Sequence, residues 1–168
     1  MKKIIIVLFI FVVLIVSYKE KNNILIPSDA IRFRVIANSD SFADQNLKLE
    51  IKNEVERELY KVIGNAESIK EARESVENNL DTVDKILKKY GINYEINYGN
   101  NYFPKKEYKG VTYEEGMYES LVITLGSGLG KNWWCVLFPP LCLLDENNNL
   151  EDNEYEFYAN KLINRFKN

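Results

Sequence analysis

The chain reads as an α+β domain. The expected architecture is a small, mostly antiparallel sheet of about four strands with two long helices packed on it, in the order β-α-α-β-β-β plus a C-terminal segment. Three observations predict it. Residues 31–38 alternate apolar and polar side chains with period two, the signature of a half-buried strand. Residues 44–90 carry apolar side chains at spacings of three and four, interrupted at Gly64. Beyond Gly91, stretches rich in β-branched and aromatic residues return at 92–98, 118–125 and 133–138.

In the first strand Ile31, Phe33, Val35 and Ala37 face one way, and Arg32, Arg34, Ile36 and Asn38 the other. Asn38-Ser39-Asp40-Ser41 supplies turn residues, and Ser41 or Asp44 caps the next element. That element is a helix over 44–63, with Leu47, Ile51, Val55, Leu59 and Val62 on one side and Gly64 as its stop. A second helix is predicted over 67–90 from Ile69, Ala72, Val76, Leu80, Val83, Leu87 and Tyr90, with Gly91 in the left-handed cap position. Its periodicity lasts three heptads, which favours packing onto the sheet over a coiled coil. Ile92, Tyr94, Ile96 and Tyr98 form a second strand ending at Gly99. Residues 100–116 form either a short hairpin or a long loop. The strongest strand is 118–125, and 133–138 is another, stopped by Pro139. A polar loop over 145–152 leads to 155–166, where Tyr155, Tyr158, Leu162 and Phe166 fit a helix while a strand start stays open.

The N-terminus bears on the compartment. Lys2 and Lys3 precede an unbroken apolar run over 4–16, the n- and h-regions of a secretory signal. Thirteen residues make about 20 Å of helix, short of a hydrocarbon core roughly 30 Å thick. Residues 1–18 are therefore expected to be a signal peptide. Ser17 is the one small residue close behind the run, so an uncleaved signal-anchor holding the chain to the membrane is the alternative, and a buried core helix the blander one. Residues 19–30 read as a connector and 31–168 as a single domain. The formal charge is −3, or −5 without Lys2 and Lys3, which argues against nucleic acid as a partner. The absence of histidine removes Ser-His and Cys-His nucleophile pairs and histidine metal ligands. No catalytic, cofactor-binding or metal-binding set is expected.

Residues 126–142, GSGLGKNWWCVLFPPLC, concentrate both tryptophans and both cysteines with two prolines and three glycines. The glycines do not form a phosphate loop. Lys131 is followed by Asn132 instead of Ser or Thr, and a strand instead of a helix comes next. A hairpin with glycines at positive φ is the structural reading. In an exported chain Cys135 and Cys142 read as a disulfide closing an eight-residue loop, worth about 2.5 kcal/mol in the chain-entropy picture. Two buried free thiols are the alternative. The acidic pairs Glu114/Glu115, Asp145/Glu146 and Asp152/Glu154 lie in polar runs, where solvated faces are the ordinary explanation. Trp133 and Trp134 are adjacent on a strand and must point to opposite faces. Either one is core and the other is exposed beside Arg32 and Arg34, or each is buried in its own layer. The expected contact surface comprises Arg32, Arg34, Asn38, Asn132, Trp133, Trp134, Pro139 and Pro140, with a solvated edge-strand face as the alternative for the two arginines.

IRFRVIANSDSFADQNLKLEIKNEV at 31–55, with LVITLGSGLGKNWWCVLFPPLC at 121–142, resembles the stage II sporulation protein R family of endospore-forming bacteria. The likeness runs over roughly 31–145, and the second block is the more specific. Acidic or other small residues are common in the glycine turn of that family, so the Lys131 of this chain departs from it. The resemblance implies a protein exported from the forespore into the space between the two surrounding membranes. There it would trigger a membrane-embedded aspartic protease that removes the pro-segment of sigma-E. It implies a ligand, not an enzyme. The competing reading is a secreted carboxylate-dependent hydrolase using acids such as Asp145 and Glu146.

Overall fold

The computed structural model describes residues 24–25, 27, 29–108, 111–142 and 152–166. The signal segment at 1–18 and the acids Asp145 and Glu146 lie outside the described residues. In chain order the elements are β1 (Ile24–Leu25), β2 (Ile31–Ile36), α1 (Phe42–Ile63), α2 (Ile69–Asn78), α3 (Leu80–Lys88), β3 (Tyr94–Phe103), β4 (Lys106–Tyr108), β5 (Val111–Tyr113), β6 (Gly116–Leu125), β7 (Asn132–Phe138) and α4 (Asp152–Arg165). The class is α+β, as the sequence predicts.

The main sheet is mixed, in the order β3-β6-β2-β7. Strand β2 runs parallel to β6 and antiparallel to β7, and β3 runs antiparallel to β6. Two of its three pairings are thus antiparallel. The parallel pairing is possible because α1, α2 and α3 intervene between β2 and the rest of the sheet, giving the long crossover that parallel strands need.

Ser41 caps α1, its hydroxyl accepting the Asp44 amide at 3.1 Å. Ile51, Val55, Leu59 and Ile63 then recur at helical spacing and are buried against the sheet. Ala72 and Val76 of α2 and Val83, Ile86 and Leu87 of α3 join them. Phe33 and Val35 of β2, Leu121, Ile123 and Leu125 of β6, and Leu137 of β7 supply the other side of this core. Each large side chain fully buried there contributes about 1.5–3 kcal/mol. Arg73 of α2 clamps the layer to β6, its Nε and Nη2 donating to the two carboxylate oxygens of Glu119 at 2.9 and 2.8 Å.

The second helix differs from the sequence expectation. It is broken at Asn79, which sits at φ −110°, ψ 7°, outside the helical well. The Asn79 side-chain amide donates to the Ser75 carbonyl at 2.8 Å and its backbone amide to Val76. An asparagine that bonds its own local backbone competes with helix continuation. The apolar period survives the break because α3 resumes at the next residue.

The other face of the sheet is also covered. A smaller sheet, ordered β1-β5-β4, and helix α4 enclose a second core of Ala30, Val111, Tyr113, Val136, Leu141, Ala159 and Ile163. Part of 100–116 is therefore a short hairpin of β4 and β5, and the ambiguous 155–166 segment is helical. Ile24 and Leu25, inside the stretch read as a connector, form β1 and pair with Val111 and Thr112. Among the described residues no helix is long and apolar enough to cross a membrane.

The hairpin reading of the glycine turn does not hold. Strands β6 and β7 are not neighbours, since β2 lies between them. Residues 126–131 therefore cross over the end of β2 and pass against residues 37–40. The Gly128, Leu129 and Gly130 amides donate to the carbonyls of Leu125, Asn38 and Ala37 at 3.1, 3.1 and 2.9 Å. Gly126 and Gly128 do adopt positive φ, 56° and 65°. Gly130 is required for a different reason: a Cβ there would come within 2.3 Å of the Ser39 carbonyl oxygen and 2.9 Å of the Ala37 Cβ. Replacing Gly130 by alanine is expected to cost about 2 kcal/mol or more, since backbone must move. Gly91→Ala, at φ 63° with nothing within 4 Å of the added carbon, costs about 1 kcal/mol of conformational strain. Urea denaturation of both variants checks the ranking, and equal losses would show that the crossover is not closely packed on β2.

Candidate functional site

Strand register brings together some of the expected contact residues. Arg34 lies opposite Trp134, Val35 opposite Trp133 and Ile36 opposite Asn132. The two tryptophans point to opposite faces, as alternation demands, and both are half-buried, one in each layer. Trp133 faces the helices. Its ring meets Phe33 edge-on at a centroid distance of 5.8 Å, and Lys52 Nζ lies 4.3 Å from a ring centroid. Trp134 faces the smaller sheet, edge-on to Phe103 at 5.5 Å and to Tyr113 at 5.1 Å. Neither ring stands free in solvent.

Arg32, expected at the contact surface, is 0% exposed. Its guanidinium sits 3.4 Å from the ring centroid of Tyr118 and 5.0, 5.5 and 5.9 Å from those of Phe103, Trp134 and Tyr113. None of its three nitrogens has a hydrogen-bond partner among the described residues. Burial lowers its pKa to about 10, an effect that Tyr118 and Tyr113 partly offset and Arg34 reinforces. The group remains a cation at neutral pH, stabilised by ring quadrupoles in place of a carboxylate. Arg34 is half-buried. It stacks on Phe103 at 4.0 Å and donates to the Tyr102 carbonyl at 2.8 Å. Of the two arginines, Arg34 alone retains solvent access.

Pro139 and Pro140 are buried and lie at the far end of β7 from Asn132, about 20 Å away along the strand. The single patch expected from Asn132 to the prolines is therefore two separate places. At the proline turn the Leu141 amide donates to the Pro139 carbonyl at 2.7 Å, and Cys135 and Cys142 are disulfide-bonded with their Cα atoms 5.5 Å apart. A buried carboxylate, Glu56, lies within 4.8 Å of both sulfurs and pairs with Lys52 one helical turn away. Sulfurs joined to each other supply no thiolate, so this trio is not a metal site in its present state. The buried Lys52–Glu56 pair had no signal in the sequence beyond two charges out of phase with the helix's polar face.

Asn38 and Asn132 lie at the crossover end of the sheet, where Asn38 serves the fold. Its Oδ1 accepts from the Ser127 amide and hydroxyl at 2.9 and 3.1 Å, and its Nδ2 donates to Asp44 at 3.0 Å. Ser39 donates its hydroxyl to the same Asp44 oxygen. Asp40 accepts the Lys131 amide at 2.7 Å, and Lys48 reaches the Lys131 carbonyl at 3.1 Å. Two segments some 90 residues apart are thus locked side chain to backbone. Hydrogen bonds from Ser39, Asn38 and Ser41 hold the Asp44 pKa below the ordinary aspartate range.

Arg32→Met is expected to fold with a melting temperature equal to or above that of the parent, since it removes an unpaired buried charge at similar volume. Arg32→Ala opens a cavity among four rings and loses about 2–4 kcal/mol. Thermal denaturation of both variants distinguishes them, and a large loss in the methionine variant would mean that the charge itself holds the layers together. Asp44, with its depressed folded-state pKa, contributes stability above its unfolded pKa and loses it as pH falls through the folded value. The melting-temperature deficit of Asp44→Asn at pH 7 should therefore shrink as pH drops from about 4 to about 2. A deficit independent of pH would assign the effect to shape alone.

Comparison with known proteins addresses the same segments. Residues 27–148 match the family of stage II sporulation protein R. The chain is 43% identical over 143 residues to stage II sporulation protein R of Bacillus subtilis (strain 168), an alignment covering 82% of this chain and 64% of the relative's length. No solved structure matches. The matched span contains the crossover, the disulfide and the whole four-stranded sheet, and the chain belongs to the stage II sporulation protein R family.

Proposed function

We propose that this chain is an exported, non-enzymatic signalling protein of sporulation. Its partner would be a membrane-embedded aspartic protease that converts pro-sigma-E to active sigma-E. Family membership is the observation that carries the reading. The sequence adds Lys2, Lys3 and the apolar run at 4–16, which favour export into the space between forespore and mother cell, either with release or with retention as a membrane anchor. The paired structural features also suit a ligand. Arg32, Glu56 and both cysteines are buried within the fold, and the polar groups of the crossover are engaged with one another.

Reconstitution in a host without sporulation genes tests the reading. The full chain, the protease and a tagged pro-sigma-E are expressed together, and processing is followed by the size of the tag-bearing product. Processing is expected when all three are present, and to be lost when residues 1–18 are deleted from the chain. Processing without the chain, or by the purified chain alone, would overturn the ligand reading. Full activity after deletion of residues 1–18 would overturn export.

A further inference from the structure

Strand β3 forms one edge of the main sheet and, among the described residues, pairs with β6 alone. The Gly126 amide donates to the Asn93 carbonyl at 2.8 Å, and the register that joins Tyr94 to Leu125 and Phe103 to Gly116 places Asn93 opposite Gly126. In an antiparallel pair, opposed residues alternate between those that exchange backbone hydrogen bonds and those whose amides and carbonyls point away. Asn93 is of the first kind, so Glu95, Asn97, Gly99 and Asn101 bond to β6. Tyr94, Ile96, Tyr98, Asn100 and Tyr102 turn their amides and carbonyls outward. The Tyr102 carbonyl accepts from Arg34 at 2.8 Å. No described group bonds the outward amides or carbonyls of the other four. Edge strands are ordinarily guarded by shortness, proline, lysine or a bulge. Strand β3 has 10 residues, with no proline, no lysine and no register shift against β6. The other outer strands are guarded: β4 has 3 residues and starts at Lys106, β1 has 2, and β7 stops at Pro139.

We propose that β3 pairs antiparallel with the β3 of a second copy of this chain, joining two main sheets edge to edge. The free positions fix the register. Tyr94 and Asn100 are the outermost of them, so the two-fold axis passes at Asn97, their midpoint. Ile96 then lies opposite Tyr98 of the second copy, and Tyr94 opposite Asn100, so every outward amide and carbonyl of these residues finds a bond. The opposed Ile96 and Tyr98 make β-branched–aromatic pairs on the helix-covered face, where both are only half-buried within one copy. Glu95 is the one charged residue of the strand and falls opposite Gly99, so no like charges oppose each other. The carboxylates that meet the Tyr94 and Tyr98 hydroxyls, Asp84 and Glu119, are already paired with Lys88 and Arg73. A single charge in the strand is too little to select a basic segment of another protein. What the edge offers is a backbone row beside an alternating Tyr-Ile-Tyr pattern, and β3 itself matches both in length and in register. The contact is isologous and closes at two copies. The dimer goes beyond the activation reading and does not depend on it.

The test uses the full chain. Asn97 is exposed, and across the two-fold it faces its own copy in a pair that exchanges no hydrogen bonds, with Cα atoms about 4.5 Å apart, within disulfide reach. Asn97→Cys should therefore give a disulfide-linked dimer on mild oxidation. Asn100→Cys, exposed on the same strand but about 20 Å from its own copy, should not. Sedimentation of the purified parent chain in mild detergent should show two copies per particle. Asn100→Pro removes one outward amide from each copy without touching a bond to β6, and should weaken dimerisation about tenfold or more. Should that variant unfold, Asn97→Lys is read in its place. Two lysines then oppose each other on the exposed face, and dimerisation should weaken about fivefold with the melting temperature unchanged. A parent chain that is monomeric at high micromolar concentration would overturn the proposal. So would a dimer that Asn97→Cys does not crosslink and Asn97→Lys does not weaken, since its contact would lie elsewhere. A monomeric parent whose pro-sigma-E processing falls with Asn100→Pro and Asn97→Lys would overturn the second copy in favour of a strand from another protein.

Discussion

The placement of β2 between β6 and β7 is the constraint on which the rest of the structure depends. A direct hairpin between β6 and β7 would leave β2 at an edge, with one side of its backbone unpaired. Instead the chain leaves β6 and crosses over the end of β2 to reach its far side. The crossing forces residues 126–131 against residues 37–40 at distances that admit no side chain at Gly130. Three glycines and a polar network follow from that one topological choice.

The same placement decides the fate of the polar side of β2. A central strand between two covered faces loses most of its solvated row: Arg32 is enclosed, and of the two arginines only Arg34 keeps solvent access. The compensation of Arg32 is aromatic. Tyr118, Phe103, Tyr113 and Trp134 come from β6, β3, β5 and β7, so four strands meet around one cation. On the opposite face Lys52 approaches Trp133 and pairs with Glu56 beside the disulfide. The adjacent tryptophans thus each join a strand to a different layer, which accounts for the pair without an exposed ring. What remains outward at the crossover end is Phe42, Leu129, Asn132 and the half-buried Asn38, a surface set by the interlocked loops.

The α+β class, the stripe of Ile51, Val55 and Leu59, the Ser41 cap region and the strand at 118–125 were all legible in the chain, because helical and strand periodicities are local properties of the sequence. The family motifs were legible for the same reason, being contiguous. The Cys135–Cys142 pairing was readable as one of two options, since a sequence separation of seven with two prolines in between brings the ends within reach. By contrast, strand order is a global property. Nothing in residues 118–138 states that β2 will insert between β6 and β7, and so the crossover looked like a hairpin. The burial of Arg32 depended on β5, whose three residues are too short to carry a periodic signal. Sequence determined the elements and the family; tertiary structure decided which faces were covered, because burial is set by partners distant in the chain.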